Sequence, residues 1–312
     1  MQITSSFEGG NIRFVGASAP HDIRLEIRKD SNSDFYQWFY FRVSGAKDVS
    51  CGFKIVNAGG ASYPDGWKDY RVSASYDRKT WFRVQTTFDG EILTIPHRPE
   101  EDSVFYAYFP PYSMERHSDM IAQCLRSKLT SLEVLGASLD GQDIDLLTVQ
   151  RSHGTAGRLV CWVIARQHPG ETQAEWWMEG FLRRLLDESD PVSRALLDRA
   201  VFHVVPNMNP DGSRRGNLRT NAAGANLNRE WDKPSMENSP EVFHVKKKMQ
   251  ATGCDFFLDV HGDEALPYNF IANTFGIPSI SDRQRQLTND YKASLMRASP
   301  DFQTEFGYPE NK

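Results

Sequence analysis

The segment Gln167-His168-Pro169-Gly170-Glu171 sets an imidazole and a carboxylate three residues apart across a proline–glycine turn. Such a turn lets both side chains converge on one point, and zinc takes nitrogen and oxygen donors at about 2 Å. Alone, the pair is a weak signal, because a glutamate in the first turn of a helix also complements the helix dipole. A second histidine lies in Asp259-Val260-His261-Gly262, between an apolar run and a turn. It can serve as a third ligand or as the hydrogen-bonded end of a strand. Asp259 can orient it, as carboxylates do for many ligating histidines, or can belong to the strand's own polar end. A third stretch, Pro206-Asn207-Met208-Asn209-Pro210-Asp211-Gly212, leads into Arg219-Thr220-Asn221 and on to Leu227-Asn228-Arg229. It crowds guanidinium and amide groups into a region rich in turns. Arginine offers a planar fork for carboxylate and keeps its charge at any relevant pH. The competing reading is a solvated loop whose arginines meet nothing.

All three stretches follow strand-like runs. Arg158 to Ala165 reads as a continuous apolar run, as expected of a strand buried on both faces. From Glu171 to Leu186 apolar residues recur at helical spacing, and Asp190-Pro191 caps a helix to about Arg199. Val201 to Val205 is the next strand; Ser239-Pro240-Glu241 opens a helix that Gly253 closes; Asp255 to Val260 is a further strand. Leu132–Leu139 and Ile144–Gln150 form a hairpin signal, and Ser281 to Ala298 reads as helical. This alternation predicts an α/β domain with a mainly parallel mixed sheet flanked by helices. In such sheets ligands collect beyond the carboxyl ends of the strands, where the three stretches fall.

The preceding residues read differently. Phe35–Val43, Cys51–Val56, Tyr70–Tyr76, Trp81–Thr87, Glu91–Ile95 and Val104–Phe109 are short, aromatic and β-branched, with turn residues between them. That spacing predicts an all-β antiparallel sandwich, with Trp38, Phe39, Tyr40, Trp67, Trp81 and Phe82 packing its core and edges. Pro110-Pro111 punctuates the chain, so the expected domains are residues 1–115 and 116–312.

Composition narrows the function. The 312 residues are 39% hydrophobic and 25% charged, an ordinary globular balance. Lys plus Arg number 36 against 41 Asp plus Glu, which gives no basic surplus for a nucleic-acid partner. No apolar run approaches a membrane span, and Met1 to Glu8 lacks the features of a secretory signal, so no membrane partner is expected. Cys51, Cys124, Cys161 and Cys254 are widely separated, which suits reduced thiols in a cytoplasmic protein.

His168-Pro169-Gly170-Glu171, Asn209-Pro210-Asp211-Gly212, Arg219 through Asn228-Arg229, and His261 together resemble the zinc metallocarboxypeptidases. The β-rich first part and the Ala165-Arg166-Gln167-His168 context look more specifically like the cytosolic carboxypeptidase branch. The resemblance implies one zinc per chain held by His168, Glu171 and His261. It implies that Arg219 stabilises the developing oxyanion and that Asn228 and Arg229 grip the terminal carboxylate of a peptide or protein. It also suggests removal of acidic residues. The family's general-base glutamate is not identifiable, since Glu264, Glu305 and Glu310 lack a strand context. The expectation is therefore a catalytic domain shortened at its C-terminus, or one whose last portion is not represented. Two alternatives stay open: a zinc amidase acting on N-acyl amino acids, and a module that binds peptide ends without cutting them. His21, His97, His117, His153 and His244 are read as non-ligands, His203 as a satisfied core histidine, and Lys246 to Lys248 as a solvated helix face.

Overall fold

The computed structural model describes residues 1–151, 157–272 and 275–308. Ten strands occupy the first part: β1 Gln2–Thr4, β2 Arg13–Ala19, β3 Asp22–Glu26, β4 Tyr40–Ser44 and β5 Cys51–Ile55. They continue as β6 Arg71–Ser75, β7 Phe82–Gln85, β8 Thr87–Phe88, β9 Leu93–His97 and β10 Ser103–Ala107. One sheet runs β1-β4-β10-β6-β7 and the other β2-β3-β5-β9-β8. Alternate residues of β4, β5, β9 and β10 are apolar, so each sheet presents one face to a shared core. Phe41 and Tyr106 from the first sheet meet Phe53 from the second, with centroids 5.1 to 6.0 Å apart. Trp38, Phe39, Tyr40 and Trp67 are buried in that core, and Trp81 and Phe82 pack on its margin. The sandwich is antiparallel except for the β3–β5 pair, whose connection passes through β4 of the opposite sheet.

Helix α1, Met114–Cys124, follows, with Ser113 accepting the Arg116 amide as its cap. The second architecture is a five-stranded sheet, β11-β12-β14-β13-β15, with ranges Thr130–Ala137, Asp143–Val149, Leu159–Ala165, Ala200–Val205 and Phe256–Val260 in chain order. β13 pairs in parallel with both β14 and β15, while the β11–β12 and β12–β14 pairs are antiparallel. The sheet is therefore mixed, with its parallel part around β13. Helices α2 Gln173–Leu185, α3 Pro191–Leu197, α4 Pro210–Arg215 and α5 Pro240–Thr252 complete it. Two apolar clusters lie on its two faces; α2 packs on one through Met178 and Leu182, and α5 on the other through Val242 and Val245.

The sandwich strands end at Ala107 and the mixed sheet begins at Thr130, and Met1–Gly262 forms one compact unit. Leu218, from the α/β part, is buried within the sandwich core, which ties the two together. The segment from Asp263 on is a second unit, holding α6 Asp282–Ala298 with a Ser281–Gln284 capping box. Within it Tyr268 stacks on Phe306 at 4.7 Å, and the Tyr308 hydroxyl donates to Asp263 at 2.6 Å. Among the described residues no helix is long and apolar enough to cross a membrane.

Two expectations need correcting. The triple-lysine face is not merely solvated: Lys246 Nζ donates to the Trp231 and Asp232 carbonyls at 2.5 and 3.0 Å, and Lys248 pairs with Glu133 at 2.7 Å. A helix beside an acidic strand and a carbonyl-rich turn gives its ammonium groups closer partners than water. His203 is half satisfied, with Nδ1 3.0 Å from the Thr148 hydroxyl and its buried Nε2 without a hydrogen-bond partner among the described residues. His153 and Glu310 lie outside the described residues.

Candidate metal centre

Strand register builds the site. β13 and β15 end flush, with Ala165 opposite Val260, so the loops that follow them leave the sheet side by side. Arg166 turns the chain with a φ of 57°, and the Glu171 amide donates to the His168 carbonyl at 3.2 Å to close the Pro169-Gly170 turn. His261 is the first residue beyond β15.

His168 and Glu171 are each 3% exposed, so they are sealed from water except through the site itself. His168 Nδ1 lies 2.7 Å from one Glu171 oxygen, and His261 Nδ1 lies 2.8 Å from the other. The three donor atoms fall within 4.8 Å of one another. The far nitrogens are already engaged. His168 Nε2 is 3.0 Å from Asn226 Oδ1, and that atom also accepts the Asn228 amide, so it is the oxygen and Nε2 carries the proton. His261 Nε2 is 2.8 Å from Asp259, which also accepts Gln167 Nε2 at 2.5 Å.

Protons on both Nε2 atoms leave two Nδ1 lone pairs facing a carboxylate. Such an array needs positive charge between its members, and two imidazoles with one carboxylate are a donor set suited to zinc. A proton can supply that charge as a cation would, and the electrostatics show the same demand for it. Burial raises the Glu171 carboxyl, but His168 and His261 outweigh it and hold the group well below the usual carboxylate range. Burial lowers His261, yet Asp259 and Glu171 push it up to about 10. The residues present therefore fit a divalent cation.

The other expected residues approach from the α4-to-α5 connection. Asn228 and Arg229 sit on a short 3-10 turn directly after Asn226, and the exposed Arg229 guanidinium donates to the Asn228 carbonyl at 3.0 Å. Arg219 is half-buried, with its guanidinium carbon 5.6 Å from the Phe35 ring and 5.4 Å from the Tyr63 ring of the sandwich. Its Nε has no hydrogen-bond partner among the described residues. The Asn209-Pro210-Asp211-Gly212 turn is a bracket: Asn209 caps α4 and donates to the Gln167 carbonyl at 3.0 Å, while Asp211 accepts from Ser138 and the Asp140 amide. Glu264 and Glu305 belong to the second unit and lie on neither strand nor helix.

Several contributors have no role that the sequence alone assigns. Asn226 lies within the arginine–asparagine stretch with nothing to set it apart from its neighbours. Arg166, 3% exposed, donates through Nε to the Pro169 carbonyl at 3.1 Å and through Nη1 to Glu175 at 2.5 Å. Glu175 also receives Asn207 Nδ2 at 3.2 Å and faces His117 Nδ1 at 2.6 Å. The ligand turn thus rests on a buried ionic network that begins in α1. Of that network, Arg166 and Asn207 lie in stretches that stand out in the sequence, while Glu175 and His117 do not.

Comparison with known proteins agrees with this geometry. Residues 3–109 match the family model for the cytosolic carboxypeptidase N-terminal domain, and residues 119–306 match the zinc carboxypeptidase model. An uncharacterized protein of Zymomonas mobilis is 50% identical over 312 residues, covering 100% of this chain and 80% of that protein. Cytosolic carboxypeptidase 1 of Homo sapiens is 28% identical over 295 residues, covering 80% of this chain; the chain spans only 24% of that relative's length. A metallo-carboxypeptidase from Pseudomonas aeruginosa, solved in complex with (2-guanidinoethylmercapto)succinic acid, superposes with a TM-score of 0.95 at 46% identity, over 99% of this chain and 82% of its own.

Proposed function

Because the chain belongs to the zinc carboxypeptidase family, we propose that it hydrolyses the C-terminal peptide bond of peptides or protein tails. The observation that carries this is the meeting of His168 Nδ1, His261 Nδ1 and the Glu171 carboxylate with both Nε2 atoms engaged elsewhere. These three residues would hold one zinc ion per chain. Zinc bound there supplies a Lewis acid for the scissile carbonyl and a water acidic enough, at a pKa of roughly 7, to serve as nucleophile.

The chain's own groups do the rest. Asn226 and Asp259 hold the Nε2 protons, which keeps each Nδ1 lone pair aimed inward. Arg219 faces the scissile carbonyl and offers hydrogen bonds to the oxyanion as it forms. Asn228 and Arg229 hold the free carboxylate, which makes a chain end obligatory. No residue is assigned the general-base role. The Pseudomonas neighbour's ligand is a succinic acid derivative, and this supports a site that receives free carboxylates. A preference for acidic terminal residues is the finer part of the proposal, supported by the likeness to the cytosolic branch. The same likeness and four free cysteines support a cytoplasmic setting. We also assign the sandwich and α/β roles to residues 1–115 and 116–312.

Metal analysis of protein prepared without chelators should give one zinc per chain, lost in His168→Ala and His261→Ala. Peptides ending in Glu, Leu or Lys should be shortened from the C-terminus, those ending in Glu fastest. Zinc-free protein with intact histidines, or turnover of N-acyl amino acids in preference to every peptide, would overturn the proposal.

A further inference from the structure

We infer that Asp30, a residue of the sandwich, is a positioning residue for Arg219, so that the β-rich region completes the active site. The inference rests on the carboxypeptidase reading above. Asp30 is 4% exposed and lies in the connection between β3 and β4. One of its oxygens accepts the Leu218 amide at 2.6 Å; the other accepts the Arg219 amide at 2.8 Å, the Thr220 amide at 2.9 Å and the Thr220 hydroxyl at 3.1 Å. Three consecutive backbone N–H groups therefore point at one carboxylate, and the middle one belongs to Arg219.

The guanidinium itself is held differently. Its Nε has no hydrogen-bond partner among the described residues, and its neighbours are the Phe35 and Tyr63 rings, which bear on its faces without fixing its direction. A long side chain with few hydrogen bonds is aimed mainly by its backbone origin, and here that origin is pinned by Asp30. A misplacement of about 1 Å at a reacting centre can cost roughly a hundredfold in rate.

Other contacts dock the same loop to the sandwich without touching Arg219. The Ser31 amide donates to Asn217 at 3.2 Å, Asn32 Nδ2 donates to the Ala222 carbonyl at 2.9 Å, and Leu218 is buried in the sandwich core. Gly224 passes so close that a Cβ there would lie 2.2 Å from the Asn32 carbonyl oxygen. The loop should therefore stay docked when Asp30 loses its charge, while residues 218–220 lose their anchor.

The test is Asp30→Asn in the zinc-loaded enzyme, alone and combined with Arg219→Ala. Asparagine can replace one acceptor oxygen but turns an amide N–H₂ toward the other donors. The expected result is unchanged zinc content, kcat lower by about tenfold or more with KM within about threefold, and no further loss in the Arg219→Ala background. Hydrogen exchange on the metal-free protein should show faster exchange at the 218–220 amides and unchanged exchange in β13 and β15. Thr220→Val, which removes one donor and keeps the carboxylate, should give a smaller kcat loss that also vanishes without Arg219; it decides the matter if Asp30→Asn does not fold. Equal rate losses with and without Arg219, or an unchanged kcat once the amides have loosened, would overturn the inference. A zinc-loaded wild-type enzyme that cleaves no peptide would instead refute the carboxypeptidase reading.

Discussion

The ionic network beneath the ligand turn makes a prediction that does not depend on activity. His117 is 5% exposed, with Nδ1 2.6 Å from Glu175 and Nε2 3.3 Å from Asp145. Burial opposes its charge, but those two carboxylates win and push the imidazole from 6.5 up to about 9. A folded-state pKa raised above the unfolded value stabilises the protein fully below about pH 6.5, and that contribution fades as pH climbs through about 9. At 1.36 kcal/mol per pH unit, the shift corresponds to about 3 kcal/mol. His117→Gln keeps a side chain that can donate but never carries charge. The variant should therefore be less stable than wild type by about 3 kcal/mol at pH 6, with the gap shrinking toward zero by pH 10. Urea unfolding of both proteins at matched pH and metal content measures it, because groups that do not contact His117 cancel in the difference. A gap that stays constant with pH, or widens as pH rises, would refute the assignment of a buried imidazolium at this position.

Other expectations follow from the same geometry. Asp259→Asn removes the carboxylate that holds the His261 Nε2 proton, so zinc affinity measured by competition with a chromophoric chelator should fall by about 10- to 100-fold. Arg219→Ala should lower kcat by about 10²- to 10³-fold with little change in KM, while Arg229→Ala should act mainly on KM; steady-state kinetics separates the two. Gly212→Ala would put a Cβ 2.5 Å from Pro169 Cγ and 2.6 Å from the Thr220 carbonyl oxygen, so denaturant unfolding should show a loss of about 1–3 kcal/mol.

The parts of this molecule that could be read from its sequence are those where one strong local pattern sufficed. The seven-residue apolar strand β13 announces its own end, and so do the strands before Asn207 and His261. The candidate ligands can be found because they follow such ends. Elements with weak contrast were not. β2 leaves Phe14 and Val15 exposed, so its pattern resembles no half-buried strand. Helix α1 has a weak apolar pattern because two of its four buried residues are His117 and Cys124. Asp30 and Asn226 act through contacts that only the folded chain creates: the first meets amides 188 to 190 residues away, the second an imidazole 58 residues away. Nothing in their immediate neighbours marks them.

The flush pairing of Ala165 with Val260 also limits how this centre can vary. Strands move past one another only in whole steps, and a shift that keeps the same faces inward is two residues, or about 6.6 Å. The donors here span 4.8 Å, so the smallest such step would carry His261 out of reach of its partners. The sheet thus works as a ratchet with a single usable notch. Insertions and deletions can be absorbed in the connecting loops, but a change of length inside β13 or β15 would break the register that brings His168 and Glu171 to His261.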